Sequence, residues 1–230
     1  MLQPADTLPA VPMKPAPWSL RGQGWVVALR LSQGSPVRTA FMPPALAASA
    51  GGRYALLMFV DYAQSDCGPY HELLLIPGSY AFADGKRHLS ISRILVSTWD
   101  SVVNGRANWG IPKDRADFRV DYATNGSRTD RIRVSSEGRE MADLQLTALP
   151  FPPLPVFGSL VPERLRTLAQ QFDGDTFLYA PASRGWVQPG RLQSWRFDGE
   201  LFPDLAAAQV LAAVKIRSFA MTFPVARRLR

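Results

Sequence analysis

A chain of 230 residues, 47% of them hydrophobic, suits one large domain or two small intimate ones, and either buries a substantial core. One cysteine, Cys67, excludes an internal disulfide framework and suits the cytoplasm, and no run of about 18 apolar residues is present to span a membrane. The net charge of +7 would fit a nucleic-acid binder, but most cations are interspersed with acids such as Asp114, Asp117, Asp121, Asp130 and Glu137. Only the tail is dense, at Arg227, Arg228 and Arg230, so nucleic acid is not the expected partner; the positive balance equally suits a small carboxylate.

Residues 1–17 carry Pro4, Pro9, Pro12, Pro15 and Pro17 and lack both the apolar run and the basic start of a secretory signal. They read as a proline-rich arm or packed coil, ahead of a single domain over 18–230. In 25–31, Trp25, Val27, Leu29 and Leu31 fall on one face of a strand. A break at 35–37 leads to 41–50, a short helix starting near the prolines and stopped by Gly51-Gly52. The dense apolar run 54–62 predicts a buried strand. Gly68-Pro69 turns the chain into ELLLIPG, opened by Glu72, which is either a strand-end residue in water or an inward carboxylate. Cys67 beside it reads as a small buried thiol and His71 as outward-facing; His88 has no metal-ligand spacing around it.

After an Asp84–Arg87 turn, 88–97 reads as a strand and 100–104 as a short helix or turn, which delivers the chain to GRANWGIPKDR, residues 105–115. Beyond it, Phe118, Val120 and Tyr122 alternate with charged residues, Asn125-Gly126 signals a turn, and strands return around Ile132 and Val134 and again at 144–148. The proline-rich 149–158 reads as a packed crossing segment, and 159–171 as the best helix, with Leu160, Leu165 and Leu168 on its apolar face. Strands at 177–179, 185–187 and 192–197, a short helix at 204–210 and a final strand at 214–225 complete the reading, with Lys215 as a surface cation. Many turn-separated strands predict an α+β fold, mainly antiparallel β, whose sheet is strongly curved or barrel-like and encloses a cavity, with a few short helices.

Arginine is the default cation here, and the chain holds only four lysines: Lys14, Lys86, Lys113 and Lys215. Arginine stays protonated, whereas a lysine placed where its charge is disfavoured loses a proton and becomes a nucleophile toward carbonyls. Pro112 fixes its own φ and biases Ile111 toward extension, while Gly105 and Gly110 permit close-packed backbone on either side. That local chemistry is open between a solvated lysine after a turn and an inward amine. Trp109 adds a large apolar surface beside it, and desolvation is one way to neutralise an amine.

GRANWGIPK resembles the signature of the acetoacetate decarboxylase-like family, in which a Gly-Arg pair precedes a proline and the Schiff-base lysine. A second match is DCGPYHELLLIPG, where Tyr70 and Glu72 resemble the family's aromatic and active-site glutamate. The resemblance implies Lys113 and Glu72 as catalytic residues, Arg106 as a carboxylate anchor, and Tyr70 and Trp109 as further substrate-binding residues. It also implies a sheet-enclosed active site, a homo-oligomer, and no organic cofactor or metal. The implied chemistry is imine formation on a small oxo acid, with decarboxylation of a β-keto acid as the first such reaction. Alternatives are an aldolase, dehydratase or hydratase on the same amine, or a non-catalytic carboxylate-binding protein. Two positions depart from the pattern: Asp114 stands where the decarboxylases have a second lysine, and Ala107 where an acid usually follows Gly-Arg. In an extended segment Asp114 would point to the face opposite Lys113.

Overall fold

The structure, a computed structural model, describes residues 4, 8–124 and 126–229; positions 1–3 and 5–7 of the expected arm, Asn125 of the expected turn and Arg230 of the basic tail lie outside them. In chain order the strands are β1 (Trp18–Arg30), β2 (Tyr54–Gln64), β3 (Tyr70–Ile76), β4 (Ser79–Ala81), β5 (Arg87–Leu89), β6 (Arg93–Val96), β7 (Lys113–Arg115) and β8 (Asp117–Asp121). They continue with β9 (Thr129–Ser136), β10 (Arg139–Ala148), β11 (Leu154–Phe157), β12 (Leu168–Phe172), β13 (Asp175–Tyr179), β14 (Ala182–Phe197), β15 (Gln209–Phe223) and β16 (Arg227–Leu229). Helices are α1 (Pro44–Ala47), α2 (Trp99–Trp109) and α3 (Glu163–Arg166).

One sheet runs β7-β6-β3-β2-β1-β15-β14-β10-β9-β8, nearly closing on itself, with β11 added to β14; a second runs β16-β13-β12-β5-β4. Pairing is antiparallel except for β6 with β7 and β5 with β12. The α+β class, the curved sheet and the scarcity of helix are as the sequence predicts.

Period-two alternation assigns each strand's side chains to one of two interiors. On β1, Trp25, Val27 and Leu29 enter a core shared with Leu57 and Phe59 of β2 and Leu144 and Leu146 of β10. The intervening face carries Trp18 and Leu20, which join Val60 and Tyr62 of β2 and Tyr70 and Leu74 of β3 around a second, aromatic-rich cluster. The large sheet therefore covers a dry core with one face and curls the other around a cavity.

Several expected elements differ. The predicted strand at 88–97 divides into β5 and β6, which belong to different sheets, with Ser90–Ser92 crossing between them. The predicted helix at 159–171 shrinks to α3 followed by strand β12: Leu160 and Leu165 are 80% and 59% exposed, so no buried face sustains a helix, and Leu168 pairs with Tyr179 instead. No helix forms at 204–210; a turn there delivers the chain to β15 at Gln209. The expected helix at 41–50 is the four-residue α1. The expected packed crossing segment 149–158 instead ends in the outer strand β11 (Leu154–Phe157), and Phe151, Leu154 and Phe157 are exposed. Lys215, expected at the surface, is 4% exposed, because its alternation opposite Val214 and Ile216 turns it into the dry core, where Asp130 receives it. Among the described residues no helix is long and apolar enough to cross a membrane.

Candidate active site

Helix α2 and strand β7 place the amine. Thr98 caps α2 by accepting from the Ser101 N–H, and Gly110 ends it in the left-handed conformation at φ 62°, its N–H bonded to the Arg106 carbonyl at 2.9 Å. The chain then reverses through Ile111-Pro112 and enters β7 parallel to β6, with Lys113 opposite Ile94. Gly105 lies in the second turn of α2, where a Cβ would sit 2.7 Å from Lys113 Cδ and 2.8 Å from Cε. The glycine of the GRANWGIPK pattern thus makes room for the lysine side chain, a reason that only the packing reveals.

The lysine is 3% exposed, and its Nζ donates to Glu72 Oε2 at 2.9 Å and Ser101 Oγ at 3.0 Å, with Tyr70 Oη at 3.5 Å. The ammonium position lies 5.0 Å from the Tyr70 ring centroid, within cation–π range. Glu72, 4% exposed, also accepts from Tyr62 Oη at 3.2 Å. Burial raises the pKa of both Tyr62 and Tyr70 well above the ordinary tyrosine value, and the neighbouring Glu72 charge adds to it. Both hydroxyls therefore remain proton donors at any working pH. The outcome is one buried cation, one buried carboxylate and three hydroxyls in mutual contact.

Lys113, Glu72, Tyr62 and Tyr70 lie on the wall of a cavity of about 560 Å³, otherwise lined mainly by apolar side chains. Trp109 forms part of the wall, held by a hydrogen bond from its Nε1 to the Pro224 carbonyl at 2.7 Å and by edge contacts with Trp18 and Phe223. Lys113, Glu72, Tyr70 and Trp109, singled out in the sequence, meet at this cavity. Arg106 does not line it: its Nε and Nη2 donate to the Lys113 carbonyl at 2.9 and 2.8 Å, and Nη2 reaches Asp114 Oδ1 at 2.9 Å. The expected carboxylate anchor is placed instead to hold the backbone of Lys113. The reason is its position one residue past Gly105 on α2, which aims the guanidinium over β7.

Asp114 points away from the amine, as extension requires, and forms ion pairs with both Arg93 and Arg106. Sequence reasoning missed Ser101, Tyr62, Arg166 and Arg184. Ser101 stands four residues before Gly105, one helical turn away, so helical spacing would have found it. Tyr62 follows from the β2–β3 hairpin, whose register sets it opposite Tyr70. Arg166 and Arg184 line the cavity from α3 and β14, and no local pattern marks them. Arg21, on the face of β1 opposite Leu20, is exposed. His71 stacks between Phe59 and Phe118 on the dry-core side, and His88 contacts Asp84 at 2.8 Å.

The backbone matches solved structures along nearly its whole length. Acetoacetate decarboxylase from Legionella pneumophila superposes with a TM-score of 0.69 at 13% identity, over 97% of this chain and 93% of that one. The chain has the fold of the acetoacetate decarboxylase-like enzymes. An acetoacetate decarboxylase-like enzyme from Sphingomonas wittichii RW1 matches over 100% and 99% of the two chains, with a TM-score of 0.68 and 16% identity. The enduracididine biosynthesis enzyme MppR, complexed with pyruvate, matches over 96% and 93%, with a TM-score of 0.65 and 20% identity. No family model matches the sequence, and no curated protein matches it. The acetoacetate decarboxylase-like likeness is thus one of architecture, carried by backbone geometry.

Proposed function

We propose that the protein is a Schiff-base enzyme acting on an oxo acid, with Lys113 as nucleophile and decarboxylation of a β-keto acid as the reaction its site suits best. The observation that carries this is the Lys113–Glu72 pair, buried at 2.9 Å on the wall of an apolar cavity. A proton passing from Nζ to Glu72 along that hydrogen bond leaves a free amine, which adds to the ketone carbon; loss of water gives the imine. A proton from solvent converts this to the protonated imine, which draws the electron pair of the breaking C–C bond as carbon dioxide leaves. Glu72, holding the proton, returns it to the resulting enamine carbon, and water then hydrolyses the imine and frees the ketone. The water released in the first step is consumed in the last, so the net change is keto acid anion plus one proton to ketone plus carbon dioxide.

Tyr62 and Ser101 orient the pair, while Arg106 fixes the Lys113 carbonyl and acts as a positioning residue. Around the amine the apolar walls of Ile94, Ile111 and Trp109 offer a carboxylate little solvation, which favours its departure as neutral carbon dioxide. A second reading keeps the imine but uses the enamine for condensation or dehydration. It is supported by the absence of a second lysine at position 114 and by the pyruvate complex of the structurally similar MppR.

Incubation with acetoacetate and borohydride is expected to fix an adduct on Lys113 and not on Lys14, Lys86 or Lys215, located by peptide mass analysis. Lys113→Arg keeps the charge and is expected to lose both adduct and turnover. Full turnover by Lys113→Arg would remove the covalent mechanism. Adduct formation without carbon dioxide release would favour condensation or dehydration.

A further inference from the structure

The cavity is far larger, and far less polar, than a short keto acid requires. Cavities of about 300–1,000 Å³ enclose drug-sized ligands, and this one measures about 560 Å³. Its polar groups fall into two small sets. One is Lys113 with Glu72, Tyr62 and Tyr70; the other, Arg166, Ser183 and Arg184, stands on α3 and β14, and β14 is six strands from β7 in the sheet order. Between them the wall is hydrocarbon, contributed by Val26 of β1, Leu56 and Met58 of β2, and Ile216 of β15. Alternation accounts for this, since these residues share the sheet face that carries Trp18, Tyr70 and Glu72.

The far side is bordered by the strap from β11 to α3, which contributes Val156, Val161 and Leu165 to the lining. The same three side chains are 45%, 43% and 59% exposed, so the rim is itself apolar. Acetoacetate carries only one methyl and one methylene to set against this wall, whereas a longer apolar substituent removes more of it from water.

Resting on the Schiff-base reading above, we propose that the substrate is a 3-oxo acid whose ketone bears a long or ring-containing apolar substituent. Its carbonyl lies at Lys113 Nζ, and the substituent runs along Val26, Leu56, Met58 and Ile216 toward the strap. For a substituent R the reaction is R–CO–CH2–COO⁻ plus H⁺ giving R–CO–CH3 plus CO2: the bond from the methylene to the carboxylate breaks, and its electron pair takes up the proton.

The test uses the intact protein with acetoacetate, 3-oxohexanoate and 3-oxodecanoate, each below saturation, and reads carbon dioxide release together with borohydride-fixed adduct at Lys113. Each added methylene is expected to raise kcat/KM about fourfold, the equivalent of about 0.8 kcal/mol per buried methylene, and the full series by at least about 100-fold. Ile216→Trp, which fills part of the hydrocarbon wall, is expected to lower the ratio of 3-oxodecanoate to acetoacetate turnover at least about tenfold. Equal efficiency across the series in the unsubstituted protein overturns the long-substituent inference and leaves the Lys113 reading intact. No adduct with any member overturns the Lys113 reading and this inference with it.

Discussion

Asp114 holds two guanidinium groups, Arg93 and Arg106, in a setting where all three side chains are about 5% exposed or less. Arg93 also donates to the Leu201 carbonyl at 2.7 Å and lies 4.9 Å from the Phe41 ring centroid, and Arg106 grips the Lys113 carbonyl. Burial pulls the Arg106 pKa below its ordinary value, and the Asp114 charge opposes that pull. Removing the carboxylate leaves two buried cations facing each other without it. Asp114→Asn is therefore expected to cost about 3–5 kcal/mol in urea denaturation, since breaking a buried pair exposes the full desolvation cost of the remaining ions. A loss under about 1 kcal/mol would show that the carboxylate does not bind the two arginines together. The same geometry makes Asp114→Lys a folding defect rather than a means of tuning Lys113, because the new cation would meet Arg93 and Arg106.

Helix α2 is the element that fixes the site, because one of its faces serves Lys113 and another fastens the N-terminal coil. Ser101 and Gly105 border the lysine, while Asn104 and Asn108 bond the backbone of Pro12, Lys14 and Ala16. Alanine normally improves a helix over glycine by about 1 kcal/mol. At position 105 its methyl would stand 2.7 Å from Lys113 Cδ in a site already closed by Glu72 and Tyr70. Gly105→Ala is expected to leave the far-UV spectrum unchanged and to lower borohydride trapping at Lys113 at least about tenfold. Unaltered trapping would mean that the lysine side chain has room to move aside.

At the scale of the molecule, the dry core is clasped by a further buried ion pair on the face opposite the cavity. Lys215 of β15 pairs with Asp130 of β9, and Trp25 of β1 donates its Nε1 to the same carboxylate at 2.8 Å. The ammonium lies 5.2 and 5.5 Å from the ring centroids of Trp25 and Tyr122. These contacts join strands that lie far apart in the sequence, closing the β8–β10 meander onto β1 and β15. Lys215→Met and Asp130→Leu are each expected to lower stability by about 3–5 kcal/mol, and the double variant to lose less than either because no unpaired charge remains. Additive losses in chemical denaturation would show that the two groups act independently.

Alternation and turn chemistry, both local, made much of the fold legible. The inward face of β1 is visible in the alternation of Trp25, Val27 and Leu29, and extension at β7 sends Lys113 and Asp114 to opposite faces. The resemblance of GRANWGIPK and of the stretch holding Glu72 to a family signature pointed to residues that the fold brings together. What alternation does not encode is which interior a face meets. Lys215 alternates as a surface cation would, yet the partner strand supplying Asp130 lies 85 residues away. Arg106 reads as an anion anchor until the parallel pairing of β6 and β7 brings Asp114 and the Lys113 carbonyl beneath it. Leu160 and Leu165 are apolar enough to suggest a helix, but helix stability comes from a buried face, and the surrounding sheet offers them none. The sequence by itself determined the inward faces of β1 and β8; the tertiary structure alone decided the burial of Lys113, the enclosure of the cavity and the partners of each buried charge, because those depend on contacts between strands distant along the chain.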